Sequence, residues 1–206
     1  MNTPRFILAS RSPGRLRLLR QAGLDPEVLV SGFDESQVIE TDSARLALAL
    51  AEAKGTSVLD QVEGDAILVA CDSVLEFEGR PRGKPGTPAS AAEQWRRMRG
   101  RQGVLHTGHY VWVRRGDEEV STKRVGSTVV KFADLADDEI HAYTHSGEPL
   151  WVAGSFTIDG LGGAYLTGIE GDPHNVVGIS LPLMRQMLLD LGIVWHELWR
   201  PDAVGH

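Results

Sequence analysis

The sequence contains a single cysteine, Cys71, among its 206 residues, which excludes an internal disulfide bond. One cysteine in a chain of this length is typical of a reducing compartment, and we expect a cytoplasmic location. The chain also lacks any apolar run near the ~18 residues that cross a bilayer, and its first residues lack the basic-then-apolar pattern of a signal peptide. We therefore expect no membrane partner.

An excess of positive charge is missing too, because the formal net charge is −7 at pH 7. This balance argues against a nucleic-acid partner, since proteins that coat nucleic acid concentrate lysine and arginine. Lysine itself is scarce, with four among 21 basic residues. A lysine that persists in an arginine-rich chain is a candidate point charge for a phosphate group, and the contexts of Lys54 and Lys84 favour these two.

Neither common nucleotide-binding loop is present, since the chain has no GxxxxGK[ST] and no GxGxxG opening a helix. What it does have is the segment FILASRSPGRLRLL at residues 6–19, which predicts a strand, a turn and a helix capped by Ser12 with Pro13 at its first position. A helix start carries unpaired N–H groups and partial positive charge. With the hydroxyls of Ser10 and Ser12 and the guanidinium of Arg15, this turn suits a phosphate. An ordinary capped junction is the alternative at this point.

Strands and helices alternate along the chain without a linker or a repeat, which predicts one α/β domain over residues 1–206 with a mixed, twisted β-sheet and flanking helices. The patterns predict strands at residues 6–9, 27–30, 66–71, 74–77, 105–114 and 119–132. They predict helices at residues 43–58, 87–98, 135–145 and 183–191, besides the one that begins near residue 13. The glycine-rich residues 156–171 are expected to form short strands and tight turns.

Acidic residues follow two of the predicted strands. Asp72 comes directly after the apolar run AILVAC, and we expect it at the sheet edge where α/β proteins bind ligands. Glu35 follows the second strand in a similar way, beside Asp34, which we expect to be solvated. Two such carboxylates can hold Mg²⁺, which binds one or two carboxylates together with water and phosphate oxygens.

Lys54 lies in the C-terminal part of the predicted helix at residues 43–58, and Lys84 lies in a Gly-Lys-Pro turn. Either side chain could simply be exposed to solvent. Together with Arg15, however, they could surround a triphosphate and stabilise the charge that develops as a P–O bond breaks.

Histidine and cysteine offer competing interpretations. His141 and His145 lie four apart on a predicted helix, so both could bind one zinc ion in a zinc hydrolase. No third ligand is evident and the zinc-protease glutamate is missing, which favours two surface histidines. Cys71 could be a nucleophile, but a small residue that closes a buried strand is the preferred interpretation.

Taken in order, these segments resemble the Maf family of nucleoside triphosphate pyrophosphatases, and its actinobacterial branch most of all. The matching segments are LASRSPGRLRLL, FDES, LAEAKG, ACDSV, GKP, HTGH, AGSFTIDGLGG and GDPHNVVGISLPLM. The resemblance implies a Maf/inosine-triphosphatase-like fold with two lobes around a central cleft and a requirement for Mg²⁺ or Mn²⁺. It also implies hydrolysis of a nucleoside triphosphate to the monophosphate and pyrophosphate, the clearing of modified or noncanonical nucleotides, and a possible homodimer.

The same resemblance implies roles for individual residues. The catalytic set would be Asp72, Glu35, Lys54 and Lys84, with Asp72 as proton acceptor and both Asp72 and Glu35 near the metal. The substrate-binding set would be Ser10, Ser12, Arg15, Ser73 and Asp159, with Ser73 and Asp159 near the base. The alternative function, from a different class, is a nucleotide-binding regulator of cell division with slow or incidental hydrolysis, which would need a phosphate site but no general base.

Three positions depart from the best-known branch of the family. That branch has arginine where this chain has Gly14, threonine where it has Ser73 and glutamine where it has Asp159. A second branch, associated with methylated guanine nucleotides, has tryptophan, glutamine and glutamate there, and the acidic Asp159 leans toward it. The resemblance therefore supports a reaction but leaves the base preference open.

Overall fold

A computed structural model of the chain describes residues 4–203, in which seven strands form one sheet with six α-helices around it. The strands are β1 (Arg5–Ala9), β2 (Glu27–Leu29), β3 (Ala66–Phe77), β4 (Arg80–Arg82), β5 (Gln102–Arg115), β6 (Glu118–Phe132) and β7 (Leu166–Glu170). The helices are α1 (Pro13–Gln21), α2 (Ser43–Thr56), α3 (Pro88–Met98), α4 (Asp137–His145), α5 (Pro173–Val177) and α6 (Leu181–Asp190).

The sheet is mixed, as the alternation of strands and helices predicts. Its strand order is β2-β1-β3-β5-β6-β7, and β4 pairs with the far half of β3. β1 runs parallel to both β2 and β3, whereas every other pairing is antiparallel. None of the helices within residues 4–203 is long and apolar enough to cross a membrane.

The first half of β3 is buried on both faces of the sheet, which explains its uninterrupted apolar sequence. Ile67, Val69 and Cys71 pack with residues of α1 and α6 on one face. Leu68 and Ala70 point to the other face, where they pack with α2. Successive side chains of a strand alternate between faces, so one apolar run serves two layers of helices.

The second half of β3 belongs to a different part of the core. Leu75 and Phe77 pack with Trp95 of α3 and with Ile140 of α4, together with the far ends of β5 and β6. The sheet therefore runs through two lobes, each with its own apolar cluster, in agreement with the expected fold. Between the two clusters along β3 lie the polar residues Asp72 and Ser73.

The two strands predicted at residues 66–71 and 74–77 are one continuous strand, so the expectation that Asp72 follows a strand end is wrong. Asp72 lies inside β3 and pairs with Gly108 of β5. It still reaches a sheet edge, because the neighbouring β1 ends at Ala9, just after the pairing of Leu8 with Val69. Because β1 ends there, no strand within residues 4–203 pairs with β3 on that side at Asp72.

Other elements differ from the expectation for local reasons. Residues 156–171 form 3₁₀ turns and a single strand, β7, instead of several strands. The short α5 was not predicted, although it begins with an Asp172 N-cap and Pro173 at its first position. Such short elements carry too few residues for a periodic apolar pattern.

Candidate active site

A cleft of about 750 Å³ lies where the two lobes meet, within the range of ~300–1,000 Å³ typical of small-molecule sites. The start of α1, the loop after β2, the end of α2 and the middle of β3 all contribute to its walls. Every site residue nominated from the sequence lines it, namely Ser10, Ser12, Arg15, Glu35, Lys54, Asp72, Ser73, Lys84 and Asp159. The structure thus brings together residues that are up to 149 positions apart along the chain.

Lys54 joins two carboxylates in this cleft. Its ammonium contacts Asp72 Oδ1 and lies 2.8 Å from Glu35 Oε1, and Lys84 Nζ lies 3.5 Å from the same oxygen of Glu35. The side chains of Lys54 and Asp72 are only 14% and 10% exposed, whereas that of Lys84 is 48% exposed. Lys54 and Asp72 therefore form the floor of the site, and Lys84 lies toward solvent.

The charge of the lysines determines the protonation state of Glu35. Burial of its carboxyl group opposes ionisation, but the hydrogen bond and charge of Lys54, together with the charge of Lys84, outweigh burial and lower the pKa of Glu35. Glu35 is therefore an anion near neutral pH.

Two glycines bring Lys54 to Asp72 by letting α2 pack closely against the sheet. A Cβ on Gly108, the β5 partner of Asp72, would lie 2.2 Å from the carbonyl oxygen of Ala47 in α2. A Cβ on Gly55, next to Lys54, would lie 2.4 Å from the ring of Tyr110. Because contacts below 3.0 Å are excluded by sterics, no larger residue permits this separation of helix and sheet.

The carboxylates fit a divalent cation that binds with its substrate. Asp72 and Glu35 each give one oxygen to Lys54, and within residues 4–203 the other oxygen of each has no hydrogen-bond partner. The same part of the chain has no group of three or more histidine, cysteine, aspartate or glutamate side chains placed to hold a metal. Two carboxylate oxygens, completed by phosphate oxygens and water, are a set that Mg²⁺ and Mn²⁺ accept.

The turn before α1 is built as its sequence predicts. Ser12 caps the helix by accepting a 3.3 Å hydrogen bond from the backbone N–H of Arg15. The hydroxyl of Ser10 accepts from the backbone N–H of Ser12 at 3.1 Å and from Arg15 Nη1 at 3.2 Å. Arg15 Nε donates to the carbonyl of Gly178 at 2.7 Å. A third donor, on Arg15 Nη2, bonds Ser73, so three of the five N–H donors of the Arg15 side chain are used within the protein and two are left for a ligand.

The direction of one hydrogen-bond chain limits what Ser73 can do. The Thr107 hydroxyl donates to the carbonyl of Asn175 at 2.9 Å, so its oxygen accepts from Ser73 at 2.9 Å. Arg15 Nη2 in turn donates to Ser73 Oγ at 3.1 Å. The single hydroxyl proton of Ser73 is therefore used within the protein, and a ligand can only donate to Ser73.

Asp159 also lines the cleft and forms an ion pair with Arg17 of α1. Gly14 lies beside this ion pair. A Cβ at position 14 would be 3.4 Å from Val177 and 3.8 Å from an Asp159 oxygen, so the absence of a side chain there leaves this space free. The cleft thus keeps an acidic side chain near the start of α1.

Glu148, which sequence reasoning missed, holds the segment that carries Asp159. Its carboxylate accepts four hydrogen bonds, from the Tyr143 hydroxyl (3.1 Å), the Thr157 hydroxyl (2.6 Å) and the backbone N–H groups of Leu161 (2.9 Å) and Gly162 (2.9 Å). Burial of the carboxyl group opposes ionisation, but these donors outweigh it and lower the pKa of Glu148. No local pattern around Glu148 signals this role, because its partners come from three separate segments.

Other residues of the cleft were not predicted as site residues from the sequence either. Arg11 and Arg17 line it, and their place in the basic cluster at residues 11–20 was the available signal. The aromatic residues Phe33, Trp151 and Phe156 line it as well, but aromatic side chains most often fill a core and give no separate signal.

Neither rival interpretation gains support from the structure. The rings of His141 and His145 lie 3.9 Å apart, and His145 Nδ1 donates to the carbonyl of His141 at 2.8 Å, with no third metal-binding side chain found within residues 4–203. Cys71 is fully buried, and burial raises the pKa of its thiol to about 12. Such a thiol is protonated and unreactive near neutral pH.

Fold and cleft together define an α/β protein whose central cleft carries lysine, arginine and carboxylate side chains. Residues 5–191 match the family described as Maf-like protein, and the chain belongs to that family. It is 54% identical to the nucleoside triphosphate pyrophosphatase of Cutibacterium acnes, over 98% of this chain and 97% of that protein. It is 53% identical to the protein of the same name from Streptomyces coelicolor, over 96% and 95%.

Among solved structures, the Ham1 protein of Staphylococcus aureus is similar at a TM-score of 0.37 and 14% identity, over 63% of this chain and 72% of that chain.

Proposed function

We propose that this chain hydrolyses a nucleoside triphosphate to the nucleoside monophosphate and pyrophosphate with the help of a divalent cation. One observation carries the proposal: Lys54, on the floor of a single cleft, links the buried Asp72 to the partly exposed Glu35, with Lys84 beside Glu35. Relatives that are 53–54% identical along nearly their whole length bear the name nucleoside triphosphate pyrophosphatase, which supports the same reaction here.

In this reaction Asp72 orients a water molecule and accepts its proton. The water oxygen attacks the α-phosphorus, the bond from that phosphorus to the bridging oxygen breaks, and pyrophosphate leaves with the electron pair. Lys54 has three N–H donors and uses two on carboxylates, so one remains for a phosphate oxygen. Lys84 lies closer to solvent and stabilises the charge that develops on the leaving group.

The residues that would hold the cation are Asp72 and Glu35, through the oxygens not used by Lys54. A bound Mg²⁺ or Mn²⁺ supplies neutralisation of phosphate charge and lowers the pKa of an attacking water. Lys54 and Lys84 remain close enough to balance the carboxylates when the substrate is absent.

The role that follows is the removal of modified or noncanonical nucleotides from the triphosphate pool. A pure nucleotide sensor would need the turn before α1 but not a carboxylate paired to a lysine beneath it. The presence of Asp72 on the cleft floor, only 10% exposed, therefore favours hydrolysis over regulation alone. Asp159 is the better candidate for reading the base, because the proton of Ser73 is already used.

The site of attack can be tested with ¹⁸O-labelled water. A panel of standard and modified nucleoside triphosphates is incubated with the protein and Mg²⁺ or Mn²⁺, and the products are analysed by mass spectrometry. Attack on the α-phosphorus places ¹⁸O in the nucleoside monophosphate and leaves pyrophosphate unlabelled. Parallel reactions with excess EDTA test the cation, and we expect turnover to be lost there.

Two results would contradict this proposal. Label in pyrophosphate or inorganic phosphate would show that a different phosphorus is attacked. The absence of turnover for every triphosphate, with either cation, would rule out the enzymatic function and favour the regulator.

A further inference from the structure

One tryptophan of the cleft lies in an unusual environment. Trp151 lines the cleft and is 71% exposed, whereas Trp95 and Trp112 are buried. Large aromatic side chains normally bury most of their area, and an exposed one inside a ligand cleft commonly contributes to binding. Trp199 is the other strongly exposed tryptophan of the described residues, but it lies outside the cleft.

The backbone that leads to Trp151 is fastened at two points. Trp151 ends a 3₁₀ turn that begins at Glu148, the carboxylate with four donors, and includes the buried Pro149. The carbonyl of Leu150 accepts a 2.9 Å hydrogen bond from the backbone N–H of Gly86, two residues after Lys84. The position of Trp151 is therefore tied to the loop that carries Lys84 and to the segment that carries Asp159.

The cleft is divided by polarity along its walls. Lys54, Lys84 and the turn before α1 supply charge, as a triphosphate requires. The segment that continues from Trp151 is mostly apolar where it lines the cleft, with Val152, Ala153, Phe156 and Ile158 beside the single hydroxyl of Thr157. A nucleotide has the same division, with charged phosphates at one end and a flat, weakly polar base at the other.

We propose that Trp151 stacks on the base of the bound nucleoside triphosphate and contributes to its affinity. The proposal rests on the function proposed above, because it takes a nucleotide as the ligand. Stacking requires a flat aromatic ring with a free face, and the exposed side chain of Trp151, on a tethered backbone, provides it. Since every base has a π-face, Trp151 supplies affinity for the nucleotide, and the choice among bases is left to polar groups such as Asp159.

The first test compares a ligand with a base and a ligand without one. Trp151→Ala is expected to raise the KM for a nucleoside triphosphate by about 5- to 150-fold, the range for loss of one base–aromatic stack, with kcat little changed. Inhibition by inorganic tripolyphosphate, which has no base, should keep its wild-type constant. Trp151→Phe retains an aromatic ring and should recover most of the affinity.

The second test is independent of turnover. Intrinsic fluorescence is titrated with a nucleoside triphosphate in the presence of EDTA, for the wild type, Trp151→Phe and the matched control Trp199→Phe. We expect quenching by the nucleotide in the wild type and in Trp199→Phe, and its loss in Trp151→Phe.

These results separate the two proposals. An unchanged KM in Trp151→Ala, an equal weakening of tripolyphosphate inhibition, or quenching retained in Trp151→Phe would overturn the stacking role whatever the enzyme hydrolyses. Quenching that depends on Trp151 in a protein that hydrolyses no triphosphate would support stacking and contradict the enzymatic function.

Discussion

Substituting Gly108 by alanine tests the claim that close packing of α2 positions Lys54, for which we propose a catalytic role. The added Cβ would lie 2.2 Å from the carbonyl oxygen of Ala47, whereas ordinary contacts begin at 3.4 Å. The helix must therefore move from the sheet by at least about 1 Å, and Lys54 near its end moves with it. The atom in conflict belongs to the backbone, so no side-chain rotation can relieve the contact.

The expected cost follows from these distances. Overpacking of this kind destabilises a protein by about 1–3 kcal/mol. For a chain of this size, 1 kcal/mol lowers Tm by about 2–4 °C, so the predicted decrease is roughly 2–12 °C. A displacement of ~1 Å at a catalytic group can cost ~100-fold in rate, and we expect kcat/KM for the triphosphate to fall by at least ~10-fold.

Differential scanning calorimetry and a pyrophosphate-release assay measure these two effects. Gly168→Ala is the matched control, because Gly168 also lies in a strand and a Cβ there would be 3.4 Å from the nearest atom, in the flexible side chain of Lys131. The control should keep both its Tm and its activity. If Gly108→Ala behaved like the control, close packing of α2 would not be what positions Lys54.

Other predictions address Lys54, Lys84, Glu148 and His109. Lys54→Met should abolish turnover and cost about 3–5 kcal/mol in urea unfolding, because it leaves the Asp72 carboxylate buried and unpaired. Lys84→Met, on a 48% exposed side chain, should slow turnover with a loss of stability below ~1 kcal/mol, and equal losses of stability in the two variants would contradict this assignment. Glu148→Gln places an amide N–H against the hydroxyl and backbone N–H groups that donate to Glu148, which disturbs the segment that carries Asp159. It should raise the KM for nucleotides but not the inhibition constant of tripolyphosphate, and equal effects on both would contradict a local role. His109 is neutral in the folded protein because burial lowers its pKa from 6.5 to about 4. Between pH ~6.5 and ~4 the unfolded state therefore binds a proton that the folded state does not, and the free energy of unfolding falls by about 1.4 kcal/mol for each pH unit of acidification. Unfolding free energies measured at several pH values should show a smaller pH dependence in His109→Gln, and an unchanged slope would contradict the assignment.

The local features of the sequence predicted much of the fold. The cap at Ser12, the helix at residues 43–58 and the strands at residues 105–114 and 119–132 follow from short-range patterns, and the structure confirms each of them in α1, α2, β5 and β6. The polar Asp72 suggested the end of a strand, because one charged residue interrupts the apolar run. Long-range pairing with β5 continues the strand through it, since Lys54 compensates the carboxylate.

The candidate site could be predicted as a set of residues but not as a set of contacts. Each nominated side chain carries a signal in its own segment, such as the cap at Ser12 or the Gly-Lys-Pro turn at Lys84. The contacts of Ser73 depend on Thr107 and Asn175, which are 34 and 102 positions away, and no local pattern encodes them. The same holds for Trp151, whose exposure is visible only once the lobes are assembled.

The most direct test of the whole account is pyrophosphate release by the wild type and by Asp72→Asn, with the best triphosphate of the panel and Mg²⁺ or Mn²⁺. Loss of a general base typically costs ~10²–10⁴-fold, and we expect a decrease of that size in kcat for a variant that keeps its fold by circular dichroism. Asp60→Asn, at an exposed position outside the cleft, should turn over at the wild-type rate. Wild-type turnover in Asp72→Asn would contradict the central claim that this carboxylate, paired with Lys54, drives the hydrolysis.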